Sequence, residues 1–164
     1  ALSFNGSSDY VASDVPVSGN ITLAAWIYPT SGSGEYSGII TRPSQYTDGN
    51  YKVMFRSGGQ YIQFLFDGGS SHVTHAISLN QWTHVAVSFD DSANTVSMYL
   101  NGSIDTADTE TASMSTANGY YGTLIGAGNT VYSDVYFEGK IDDVRIYNRA
   151  LSATEVANLY NVGR

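Results

Sequence analysis

The chain has 164 residues, no cysteine and a formal net charge of −8, with only seven basic residues. Those numbers exclude a disulfide framework, thiol chemistry and cysteine-built metal clusters. They also leave too little positive charge to neutralise nucleic-acid phosphates or to favour a strongly anionic polysaccharide. The length suits one domain over residues 1–164 with its own core, and 42% hydrophobic residues with 17 Gly and 13 Tyr mark a folded, turn-rich chain rather than a disordered one.

Ser, Thr, Val, Tyr and Gly outnumber the residues of good helical windows, so local propensity favours strands. Ile21 to Tyr28, Ser37 to Arg42, Asn50 to Arg56 and Tyr61 to Asp67 read as successive strands. They are separated by turns such as Ser57-Gly58-Gly59 and Asp67-Gly68-Gly69. The clearest signal runs from Asn80 to Gly102. There Thr83, Val85, Val87 and Phe89 alternate with Trp82, His84, Ala86 and Ser88, and after an Asp90–Asn94 turn Val96, Met98 and Leu100 alternate with Ser97, Tyr99 and Asn101. This is the two-residue period of an antiparallel hairpin, closed at Asn101-Gly102 by residues that tolerate positive φ. Thr123 to Gly126, Val135 to Glu138 and Lys140 to Asn148 supply further strands. The only helix expected is short: Ser152-Ala153-Thr154-Glu155 is a capping box, Leu151 can staple onto Val156, and the helix runs from about Ala153 to about Tyr160. Many closely spaced strands without intervening helices predict an all-β, two-sheet antiparallel sandwich with one short C-terminal helix.

Period two also sorts side chains by face. With Val53, Phe55, Ile62, Phe64 and Phe66 in the core, Lys52, Met54, Arg56, Tyr61, Gln63 and Leu65 fall on the opposite, open face. Aromatic rings there and in loops can stack on the apolar face of a pyranose while amide and guanidinium groups bond its hydroxyls. The candidate glycan-binding residues are Tyr36, Arg42, Tyr46, Arg56, Tyr61, Gln63, Tyr120, Tyr121 and Tyr132. The bland alternative is that tyrosines are good strand formers whose hydroxyls stay wet at sheet edges.

Catalytic groups are thin. Glycoside hydrolysis needs two facing carboxylates, yet Glu35, Glu110 and Glu138 have no paired acid two or three residues on. His72 and His75 are three residues apart without a third ligand or a nucleophile, and His84 lies within a strand as a structural, hydrogen-bonded histidine.

Four stretches occur in a fixed order across the chain: LSFNGSSDYV at 2–11, LAAWIYP at 23–29, WTHVAV at 82–87 and GKIDDVRIYNRALS at 139–152. Together they resemble the LamG-like branch of the concanavalin A-like lectin/glucanase superfamily. The resemblance implies a jelly roll whose first and last strands lie side by side. It also implies a structural calcium ion at Asp142, with Asn5, Gly6 and Asp9 of the N-terminal turn beside it supplying further oxygen ligands. The alternative for these acids is that Asp9 caps a turn and Asp142 pairs with Lys140 or Arg145.

The function expected is a non-catalytic, lectin-like module taking a neutral or weakly charged oligo- or polysaccharide. An adhesion module with a protein partner is the first rival, and a polysaccharide hydrolase or lyase the second. No apolar run approaches the roughly 18 residues of a membrane span. The chain is expected to be part of a longer multidomain protein, secreted or at the cell surface, inserted in no membrane and binding no nucleic acid.

Overall fold

The computed structural model describes residues 1–15, 19–30, 35–43, 51–56, 60–66, 71–109, 122–128 and 135–163. In chain order the strands are β1 (Leu2–Asn5), β2 (Val11–Ser13), β3 (Ile21–Pro29), β4 (Ser37–Arg42), β5 (Tyr51–Arg56), β6 (Tyr61–Phe66), β7 (His72–Val73), β8 (Thr83–Asp90), β9 (Thr95–Leu100), β10 (Ser103–Thr109), β11 (Thr123–Ile125) and β12 (Glu138–Tyr147), followed by α1 (Ala153–Val162). They form two six-stranded sheets, ordered β1-β12-β3-β8-β9-β10 and β2-β11-β4-β5-β6-β7. Every ladder is antiparallel. This is the jelly-roll sandwich expected, and the two ends of the chain do meet, because β1 pairs along β12.

The core follows from the alternation. Leu23, Ile27, Val85, Val87 and Phe89 of the first sheet face Tyr51, Val53, Phe55, Ile62 and Phe64 of the second, all at most 2% exposed. Burial of such side chains stabilises by about 1.5–3 kcal/mol each.

The first sheet is covered on its other face as well. Residues 83–89 are all buried, on both parities, because Leu151 and Val156 at the start of α1 pack on Ala24, Ala86 and Tyr99. The expected capping box is present: Ser152 Oγ accepts from the Glu155 backbone N–H, and the Glu155 carboxylate accepts from the Ser152 N–H at 2.9 Å. The helix continues to Val162, two residues past its expected end.

Two departures stand out. Of the two strands expected around Gly139, only the second forms, as β12, which begins at Glu138 and bulges between Asp142 and Arg145, while in residues 135–137 Tyr136 makes a single bridge to Ala127. β10, with the polar sequence SIDTADT, was not expected as a strand. Among the described residues no helix is long and apolar enough to cross a membrane.

Candidate functional site

Cross-strand partners in an antiparallel pair share a face, so the ladder between β5 and β6 decides which expected residues meet. Arg56 lies opposite Tyr61 and Met54 opposite Gln63, on the face away from the core. The Arg56 guanidinium lies 3.8 Å from the centre of the Tyr36 ring and 5.8 Å from that of Tyr61. Its Nε and Nη2 donate to Glu35 Oε1 at 3.1 and 3.0 Å, and Nη1 donates to Gln63 Oε1 at 2.8 Å. Gln63 Nε2 donates in turn to Ser71 Oγ at 2.6 Å. Four of the expected residues, Tyr36, Arg56, Tyr61 and Gln63, thus form one cluster, completed by Glu35 and Ser71.

The cluster has a defined geometry and little net charge. Burial opposes the charge on Arg56, but the Glu35 hydrogen bonds together with attraction from Glu35, Tyr36 and Tyr61 outweigh it and raise its pKa further. Tyr36 is held at φ +62° and stays 47% exposed. A bulky aromatic residue in the left-handed region is uncommon and costs about 1–3 kcal/mol; here it lays the ring on the guanidinium with its outer surface toward solvent. The result is a platform of two rings about a neutralised cation, with a fixed amide beside it.

The face is less open than period two suggests. Met54 is 2% and Gln63 8% exposed. Gln63 is held down by Arg56 and Ser71, and Met54 neighbours Gly38 in the ladder, where the Ala127 backbone crosses so closely that a Cβ on Gly38 would lie 2.1 Å from it. The Phe66 side chain falls outside the described residues.

Arg42 does not join the cluster. It pairs with the core-facing Tyr51, is 6% exposed, and donates from Nη1 to the Val15 carbonyl at 2.9 Å with Asp14 at 3.7 Å. Tyr46, Tyr120, Tyr121 and Tyr132 lie outside the described residues.

The four residues expected to hold calcium are not brought to one point. Asn5 opposes Glu138 and Leu2 opposes Ile141, so Asp142 sits four positions along β12 from the Asn5 turn, roughly 13 Å away at about 3.3 Å per residue. Glu138 is the acid beside Gly6, its Cβ 2.9 Å from where a Gly6 Cβ would sit. The turn is internally satisfied: Asn5 Oδ1 accepts the N–H groups of Ser7, Ser8 and Asp9 at 2.9, 2.9 and 3.2 Å, while Asp9 Oδ2 accepts the Asn5 N–H at 3.1 Å. Asp142 Oδ2 is 3.3 Å from the Ala1 nitrogen instead. As a set, Asn5, Gly6, Asp9 and Asp142 do not fit one ion. Among the described residues, no three His, Asp or Glu side chains gather as a metal site.

The histidines separate too. His72 is buried, while the exposed His75 places Nδ1 3.1 Å from Asp105 Oδ1. His84 is 3% exposed; burial lowers its pKa to about 4, with Asp143 raising and Arg145 lowering it to a lesser degree. The strand fixes its backbone through Asn101, but the ring nitrogen Nδ1 has no hydrogen-bond partner among the described residues, contrary to the side-chain bond expected.

A family model described as concanavalin A-like lectin/glucanases superfamily, of the laminin G type, matches residues 5–157. The chain belongs to the concanavalin A-like lectin/glucanase superfamily. No curated protein sequence matches it. Among solved structures, the CBM40 module of the Ruminococcus gnavus IT-sialidase, bound to α2,3-sialyllactose, superposes with a TM-score of 0.74 at 11% identity, over 93% of this chain and 97% of that one. Domain 4 of an extracellular arabinanase from Geobacillus stearothermophilus, in complex with arabinotriose, gives 0.73 at 19% identity over 96% and 75%. A Trypanosoma rangeli sialidase gives 0.75 at 16% identity, over 96% of this chain but 26% of that one. The superfamily member described here therefore spans about a quarter of that sialidase, and at such identities the likeness establishes the fold alone.

Proposed function

We propose that this domain is a non-catalytic carbohydrate-binding module of a secreted or cell-surface protein, and that Tyr36, Arg56, Tyr61 and Gln63 form its glycan site. The observation that carries the proposal is the Arg56 cluster, in which a strained, half-exposed tyrosine is stacked on a guanidinium already neutralised by Glu35. Such a platform offers a ring to the apolar face of a sugar and fixed polar groups to its hydroxyls. With the Arg56 charge matched by Glu35, the site suits a neutral sugar better than an acidic one. Sugar complexes of the CBM40 module, with the acidic sialyllactose, and of arabinanase domain 4, with the neutral arabinotriose, support a carbohydrate ligand, since both share the fold. The calcium ion implied by the family resemblance forms no part of this proposal, because its expected ligands do not converge.

The test is a glycan array probed with the unaltered chain and with Tyr36→Ala and Tyr61→Ala variants. Binding to a neutral glycan that weakens about ten-fold in each variant supports the reading. An array with no signal, or one indifferent to both substitutions, returns the domain to the rival role of an adhesion module with a protein partner.

A further inference from the structure

The other sheet carries a second groove that the Arg56 cluster does not use. It has a volume of about 610 Å³ and is lined by Trp26, Trp82, Asp142, Asp143, Arg145 and the end of α1 at Val162 and Gly163, a size within the usual range for small-molecule sites.

The bulge in β12 builds it. In a regular strand, 142 and 143 would point to opposite faces. Here Ile141 is in the core, and Val144 and Ile146 pack against it, so the parity of the inward residues changes between 141 and 144. Asp143 takes φ +46° at that point, and Asp142, Asp143 and Arg145 all reach the outer groove. Bulges re-aim side chains in this way beside functional sites.

The groups so gathered have distinct roles. Trp82 is 37% exposed, with its ring centre 5.6 Å from that of Tyr28. Trp26 is fixed by stacking on Tyr160 at 5.4 Å, and its indole N–H has no hydrogen-bond partner among the described residues. Arg145 is tied to Asp143 at 2.9 Å, which cancels one charge pair. The Asp142 carboxylate remains about half exposed, accepts the Asp143 N–H on Oδ1 and has Oδ2 3.3 Å from the Ala1 nitrogen; its remaining lone pairs have capacity for further donors. An exposed indole flanked by an acceptor carboxylate and a self-cancelled ion pair matches a neutral pyranose, whose C–H face stacks and whose hydroxyls donate to the carboxylate.

We propose that this groove is a second, independent binding site for a neutral pyranose-based oligosaccharide, with Trp82 as the stacking platform and Asp142 as hydroxyl acceptor. The site stands whether or not the Arg56 cluster binds glycan, and the chain supplies its own probe. Its two tryptophans are Trp26 and Trp82, both in the groove, while the described residues of the Arg56 cluster contribute only tyrosine.

The full chain is titrated with cellohexaose, xylohexaose, mannohexaose and laminarihexaose while tryptophan emission is followed. The expected result is a saturable change with at least one of them. Its midpoint moves about ten-fold or more in Trp82→Ala and in Asp142→Ala, and it persists in the double variant Tyr36→Ala/Arg56→Ala. Melting curves establish that each variant is folded; should Trp82→Ala fail to fold, the exposed Asp142→Ala carries the same test. Silence from all four oligosaccharides, a response of unaltered midpoint in Asp142→Ala, or a response abolished by the Tyr36/Arg56 double variant overturns the proposal.

Discussion

Asn5 shows how one side chain organises a turn without help from an ion. Its Oδ1 accepts three successive backbone N–H groups, so Asn5→Ala is expected to cost about 1–2 kcal/mol. Chemical denaturation should find that cost equal in excess calcium and in excess chelator; a cost confined to the calcium sample would restore the metal reading of the turn. His84 sets the pH response. Its folded pKa of about 4 lies below the ordinary 6.5, so the unfolded chain takes up the proton first. The neutral ring's contribution is therefore complete above about pH 6.5 and is lost as pH falls toward 4, by about 3 kcal/mol in all. The unfolding free energy of the parent relative to that of His84→Phe should fall between pH 7 and pH 4.5, and a constant difference would refute the buried neutral histidine. At this scale period two is enough to bring Arg56, Tyr61 and Gln63 into view, and Tyr36 enters as an exposed loop aromatic. Arg42 and Asp142 were misplaced because their neighbours depend on register across turns, which local alternation does not specify.

Among the elements, β10 and β12 mark what patterning can and cannot show. Asn101 and Gly102 both have positive φ and join β9 directly to β10, an arrangement their sequence announces. Yet SIDTADT carries Asp and Ser where strand formers are usual. It forms a strand because its partner β9 supplies the ladder, and the edge of a sheet tolerates, and benefits from, charge. The β12 bulge does leave a mark in the sequence, since IDDVRIY breaks its alternation at Asp142-Asp143, where Asp143 turns to positive φ. Close crossings are the strictest elements of all. A methyl group on Gly38 would lie 2.1 Å from the Ala127 carbonyl carbon, so Gly38→Ala is expected to cost more than about 3 kcal/mol or to prevent folding. A near-normal melting temperature for that variant would show that the segment following β11 does not cross β4 where described. By contrast, removing the helix cap with Ser152→Ala should cost only about 1 kcal/mol, measurable as a modest fall in melting temperature with the fold intact.

Taken whole, the molecule is a sandwich that places polar and aromatic groups on two outer faces while one core holds the sheets together. Its architecture was legible because hydrophobic alternation, turn residues and the capping box all agree with one another. Its sites were only half legible, because each is assembled from strands distant in sequence: Glu35, Arg56 and Ser71 on one face, Trp26, Trp82 and Asp142 on the other. The claim on which the functional account rests is that the Arg56 cluster contacts sugar. The most direct measurement is a backbone amide NMR titration with the strongest neutral ligand from the array, which a chain of 17.6 kDa permits. Saturable shifts at Glu35, Tyr36, Arg56, Tyr61, Gln63 and Ser71 are the result expected. A titration that saturates while those six amides stay still would contradict it.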